Sequence, residues 1–212
     1  MDKPIIGPEE SVLLSNHAIF LTRKRLQEQL YALLSACTVP IQAAMSYRIA
    51  HLPEEIVHST PKISRGENYL SFPWSILDYP RCFSGKDVFA IRTMCWWGNY
   101  FSITFQVGGR FAVMFEDSIT GNIGKIAAGD IYLNTGNDPW KHHIEHGDMK
   151  PLAQFSCHAG EVRSIIRNSG FLKLMKKISL EDWSTLPAES GKFAELMFYL
   201  VTGDGLPLQA AK

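Results

Sequence analysis

The sequence predicts an α+β fold: a central antiparallel sheet, containing a β-hairpin, packed with N-terminal and C-terminal helices, over a single domain of residues 1–212. Three observations carry this. Two β-rich runs, 88–97 and 100–107, flank Gly98-Asn99, a strong short-range hairpin signal. In the second run Phe101, Ile103, Phe105 and Val107 alternate with Tyr100, Ser102, Thr104 and Gln106, the period of a strand with one buried and one more polar face. The first and last quarters of the chain instead carry apolar residues at spacings of three and four. Strands in the middle flanked by helices argue for an antiparallel sheet covered on at least one face.

Taken in order, the helical pattern begins at Thr22, with Leu26, Leu30, Leu33, Leu34 and Cys37 on one stripe. Pro40 suits the first turn of a second helix, which Ile41, Met45, Ile49 and Leu52 continue until Pro53. That predicts an αα-hairpin. Prolines at 53, 61, 73 and 80 then forbid a long helix, and Ser75–Tyr79 reads as a short edge strand ending at Pro80. After the hairpin, Phe111, Phe115, Ile119 and Ile123 fall four apart and favour a helix, although 111–115 also suits a strand. Asp130–Asn134 reads as a further strand. Phe171, Leu174, Met175 and Ile178 recur at helical spacing, and Ser179-Leu-Glu-Asp182 resembles a capping box. The last stripe is Phe193, Leu196, Met197, Leu200 and Val201, with Gly203 placed as a C-terminal cap. There is no internal repeat or low-complexity tract.

Composition narrows the function classes. With 46% hydrophobic and 20% charged residues the chain is an ordinary globular one. Lys+Arg and Asp+Glu both total 21, so the net charge is zero. Neutrality gives no electrostatic argument for nucleic acid or an anionic membrane, and mildly favours self-association, hence a possible homodimer. Cys37, Cys82, Cys95 and Cys157 include no Cys-x-x-Cys pair, which removes zinc-ribbon and thioredoxin-like readings. The opening residues are acidic and broken by proline, unlike a signal peptide, and no run is long enough to span a bilayer. The expectation is a cytoplasmic protein with free thiols and no cofactor.

Four constellations bear on chemistry. His142-x-x-Glu145-His146 matches the inverted zincin pattern, in which two histidines one helical turn apart share zinc and the glutamate serves as base. Asp138, Pro139 and Gly147 give it at most two turns of helix, and the plainer reading is a polar loop or a short helix with exposed histidines. Arg92 is the second. A two-residue turn places it opposite Phe105, where it needs a partner such as Asp78. A three-residue turn places it beside Ser102, Thr104 and Gln106, as an ordinary residue of a cleaner amphipathic sheet. Third, Trp96, Trp97 and Tyr100, with Trp74 and Tyr79, concentrate aromatic surface near the hairpin end, as ligand anchors or as core and interface residues. Fourth, Cys95 and Cys157 lack any nucleophile signature and read as inert thiols. No dinucleotide-binding or P-loop motif is present. The sequence therefore predicts a domain that binds a small acidic ligand or a protein partner through Arg92, Asp78, Trp96, Trp97 and Tyr100, without evident catalytic machinery. The alternatives are a zinc hydrolase, and a homodimer built on the aromatic edge.

Overall fold

The structure, a computed structural model, describes residues 5–126, 130–144, 147–155 and 158–203. In chain order it runs α1 (Pro8–Ser15), α2 (His17–Ser46), α3 (Glu54–Val57), β1 (Lys62–Tyr69), β2 (Phe72–Ser84), β3 (Asp87–Trp96) and β4 (Tyr100–Gly108). Then follow α4 (Arg110–Asn122), β5 (Ile131–Asn134), β6 (Met149–Pro151), α5 (Ala159–Ser169), β7 (Phe171–Ile178) and α6 (Leu186–Thr202). The strands form one antiparallel sheet in the order β1-β2-β3-β4-β7-β5-β6. The α+β architecture with a central hairpin and flanking helices is thus as the sequence predicts. Among the described residues no helix is long and apolar enough to cross a membrane.

The hairpin settles its own register. Trp96 pairs with Tyr100, so the turn holds three residues and Arg92 lies opposite Thr104. Phe89, Ile91, Thr93 and Cys95 therefore share a face with Val107, Phe105, Ile103 and Phe101. This inner face meets the buried residues of α2 to α6 in one large cluster. At its centre Phe89 sits edge-on to Phe105 and Phe111 and stacked 6.5 Å from Phe198. Gly109 joins β4 to α4 with φ of 57°; a Cβ there would lie 2.2 Å from Asp87 Oδ1, so no other residue fits. The same carboxylate accepts from Arg110 N at 2.9 Å and satisfies a donor of the first turn of α4.

Three expectations are corrected. Residues 22–52 do not form an αα-hairpin: Pro40 lies inside the continuous 30-residue α2. Pro40 forfeits one backbone bond, but α2 packs along α6, where Gly191 leaves room for the proline ring. A Cβ on Gly191 would come within 2.7 Å of Pro40 Cβ. Ser75–Tyr79 is not a short edge strand. It lies within the 13-residue β2, which pairs on both sides, while β1 forms the edge. Pro80 falls in the register shift between Asp78 and Arg81, where no ladder donor is required. Residues 171–178 form a strand, β7, rather than a helix. Both faces of β7 are covered, which blurs the alternation by which a strand is recognised.

Candidate functional site

The outer face of the sheet is assembled by register. Lys62 pairs with Asp78, Asp78 with Arg92, Arg92 with Thr104 and Thr104 with Met175, one row across five strands. The adjacent row runs Arg81, Ala90, Gln106, Lys173. Directly opposed residues share a face, so these polar groups cluster because the ladders align them. Arg92 and Asp78 make a bidentate pair: Nε donates to Oδ1 at 2.7 Å and Nη2 to Oδ2 at 3.1 Å. Their side chains are 15% and 9% exposed, too buried for either charge to stand alone.

The segment 135–144, which follows β5, crosses this face. Asn134 and Asp138 brace it: Gly136 N donates to Asn134 Oδ1 at 2.7 Å and Trp140 N to Asp138 Oδ1 at 2.8 Å. Lys141 pairs with Asp148. Tyr69 at the end of β1 holds its far side, its hydroxyl accepting from His142 N at 2.7 Å and meeting His143 Nδ1 at 2.9 Å. From β7 below, Lys173 Nζ donates to the carbonyls of Pro139 at 2.8 Å and Lys141 at 2.5 Å.

His142 links the two rows. A guanidinium can only donate, so the 3.0 Å contact from Arg92 Nη1 makes His142 Nε2 an acceptor. A neutral imidazole then carries its proton on Nδ1, which lies 3.4 Å from Lys173 Nζ. Nδ1–H then faces the lysine nitrogen, an arrangement that favours the uncharged amine over the ammonium. The amine's two hydrogens go to the two carbonyls. Electrostatics agree with the geometry. Burial, reinforced by the Arg92 charge and opposed by Asp138, brings Lys173 from its ordinary 10.5 down to about 7. Burial, with Lys173, Arg92 and His143 adding to it, holds His142 well below its ordinary value.

Beside this network a cleft of about 230 Å³ opens, lined by Lys62, Asp78, Arg81, Phe83, Arg92 and Trp140. Arg81 is fixed at the wall by Nε donating to the Thr60 carbonyl at 2.9 Å. The Trp140 ring lies 5.7 Å from the Arg92 guanidinium and 6.2 Å from the Phe83 ring, and both aromatics are nearly half exposed. Trp140 also borders a second hollow, of about 690 Å³, shared with Tyr69, Lys141 and His143.

Of the five residues singled out from sequence, two line the cleft. Arg92 and Asp78 meet at the cleft. Trp96 and Tyr100 are buried under the crossing segment, edge-to-face at 5.5 Å, with Trp96 Nε1 donating to the Tyr69 carbonyl at 3.1 Å. Trp97 is half-buried in the turn and packs against the inner core. The zincin pattern is only partly described. His142 and His143 lie in irregular structure and are buried, while Glu145 and His146 fall outside the described residues. Both ring nitrogens of His142 are engaged, and among the described residues no cluster suited to a metal ion occurs. Cys37 and Cys95 are buried thiols, pushed by burial up to about 11 and about 12; Cys157 falls outside the described residues.

Lys62, Arg81, Phe83, Trp140 and Lys173 were not singled out by sequence. No clean alternation marks Lys173 in the sequence, because Lys176 interrupts the series Leu172, Leu174, Ile178. Lys62 and Arg81 become neighbours of Arg92 only through strand register, which no local pattern encodes. No protein-family model, curated protein or solved structure matches the chain. Fold and cleft define its physical class: an antiparallel sheet with helices on one face and a cation-lined cleft on the other.

Proposed function

We propose that the protein binds a small anionic molecule, bearing a carboxylate or phosphate, in the cleft between Arg81, Arg92 and Trp140. One observation carries this reading. Three cationic side chains, Lys62, Arg81 and Arg92, line the cleft against the single carboxylate of Asp78, which is already committed to Arg92. A cleft with surplus positive charge and low-dielectric walls attracts anions. Arg92 has five N–H donors, of which Asp78 and His142 take three, so each terminal nitrogen keeps one for a ligand oxygen. Phe83 and Trp140 offer flat apolar surface to the rest of the molecule. The cleft's size suits a small acidic group, and the hollow beyond Trp140 leaves room for a longer ligand.

Calorimetric titration with inorganic phosphate, phenyl phosphate and benzoate tests the reading and separates phosphate from carboxylate preference. Saturable binding of at least one probe is expected. Lys62→Ala and Arg81→Ala each lose one charge-assisted contact, worth about 1.5–3 kcal/mol, so affinity falls roughly 10- to 100-fold. Trp140→Ala is expected to weaken phenyl phosphate more than inorganic phosphate. The absence of saturable binding by all three probes, or affinity unchanged in both cation variants, refutes the proposal.

A further inference from the structure

The N-terminal arm is unlike the rest of the chain. No residue of α1 is buried, and the first buried residue of α2 is Leu30. Yet the arm is rich in apolar side chains. Ile5, Val12, Leu13, Leu14 and Leu21 are each more than half exposed, and Ile19 and Phe20 are 43% and 46% exposed. Ile5, Ile6, Leu13, Leu14 and Phe20 border an open notch of about 470 Å³ between α1 and the start of α2. A contiguous exposed patch of this kind on a folded chain marks an interaction surface.

The sequence of the arm says what fits it. Residues 9–16 read Glu-Glu-Ser-Val-Leu-Leu-Ser-Asn and residues 17–24 read His-Ala-Ile-Phe-Leu-Thr-Arg-Lys. Position i in the first half matches position 33 − i in the second. Leu14 mirrors Ile19, Leu13 mirrors Phe20, Val12 mirrors Leu21 and Ser11 mirrors Thr22. At the ends the match is of opposite charge: Glu10 mirrors Arg23 and Glu9 mirrors Lys24. The break between α1 and α2, at Asn16, falls at the centre of this mirror. Two copies related by a two-fold axis bring α1 of each against the start of α2 of the other. Because consecutive helical residues point about 100° apart, the match is between an acidic, apolar half and an apolar, basic half rather than between single residues in register.

We propose that residues 8–25 are a self-recognition element, through which two copies of the chain pair antiparallel. The α1 of each copy lies along the first turns of α2 of the other, apolar against apolar, with the acidic pair Glu9 and Glu10 facing the basic run 23–25. A buried aliphatic side chain removes roughly 60–120 Å² of apolar surface from water, so both arms together hide on the order of 1,000 Å², the scale of a specific interface. An anionic lipid surface fits less well, because Glu9 and Glu10 share the arm with its basic residues. The hairpin aromatics Trp96 and Tyr100 are themselves buried and offer no such surface.

Sedimentation velocity of the full chain, over a hundredfold range of concentration, tests this. The wild type is expected to be dimeric, and Leu13→Glu/Phe20→Glu monomeric, with unchanged circular dichroism because both positions are exposed. Charge swaps then test the antiparallel geometry, sparing Arg23, which is bridged to Glu67. Glu9→Lys/Glu10→Lys and Lys24→Glu/Arg25→Glu each place like charges together at both ends and are expected to dimerise at least tenfold more weakly. Mixed in equal amounts, they restore opposite charges at both ends and are expected to recover wild-type association. A wild type that stays monomeric overturns the proposal, as does a monomer that instead floats with vesicles of phosphatidylcholine and phosphatidylglycerol. A dimer indifferent to Leu13→Glu/Phe20→Glu, or swap variants that do not combine selectively, overturns it equally.

Discussion

Replacing Lys173 by Met changes how stability responds to pH, and the structure sets both sign and size. In the fold the amine lies under residues 139–142, with its proton affinity brought from 10.5 to about 7. The folded chain thus binds fewer protons at this position than the unfolded chain, and unfolding takes up a proton between about pH 7 and pH 10.5. Stability rises with pH wherever the unfolded state binds more protons. The penalty is complete at and below pH 7 and vanishes above 10.5. One proton is worth about 1.4 kcal/mol per pH unit, so this group alone adds about 2 kcal/mol between pH 7 and pH 9. Cys37 and Cys95 act in the opposite sense near the top of the range, because they stay protonated when folded and ionise when unfolded. Their contribution is common to both proteins and cancels in the difference. Urea unfolding of wild type and Lys173→Met at pH 7, 8 and 9 provides the measurement. The wild type is expected to gain about 2 kcal/mol on the variant across that range. Parallel stability curves would show that Lys173 is charged in the fold, and would refute both the tautomer assigned to His142 and the neutral amine.

Three further expectations rest on single contacts. Arg92→Leu leaves Asp78 buried without its partner and should cost about 3 kcal/mol by chemical denaturation, whereas Arg92→Leu/Asp78→Leu should cost less than the two single changes combined. Gly191→Ala drives a methyl against the rigid Pro40 ring and should lower stability by about 1–3 kcal/mol, visible as a fall in Tm. His142 is held neutral in the fold and takes up a proton on unfolding below its ordinary 6.5, so the wild type should lose stability as pH falls through that value; His142→Leu should show a shallower loss between pH 6.5 and pH 5.

What the sequence revealed was local, and what it hid was tertiary. The hairpin, α4, β5 and α6 each carry their own periodicity and turn chemistry, and each appears where those signals place it. Pro40 misleads because its local meaning is a helix start, while its structural meaning depends on Gly191, some 150 residues away. Residues 171–178 mislead because both faces of β7 are covered, and their apolar residues also satisfy helical spacing. Arg92 shows a subtler limit. The three-residue turn puts it on the polar face, where the sequence alone makes it unremarkable. That face is in turn covered by residues 135–144, so Arg92 needs Asp78 after all. The pairing with Asp78 was legible from strand neighbourhood, whereas the cover was not.

The strand order carries a consequence for how the cleft comes into being. The chain completes β5 and β6 before β7, yet β7 stands between β4 and β5 in the sheet. Strands β1 to β4 follow one another as neighbours and can zip together as they emerge, whereas β5 pairs only with β6 and β7. Until Phe171–Ile178 is inserted, the ladder by which β5 joins the sheet does not exist, and neither does the lysine that fastens residues 139–142 beside Arg92. Such non-local closure is the slow kind, because the intervening chain must be ordered before any contact rewards it. The Trp140 wall of the cleft is therefore a late product of assembly, and a chain carrying it has already placed its final strand.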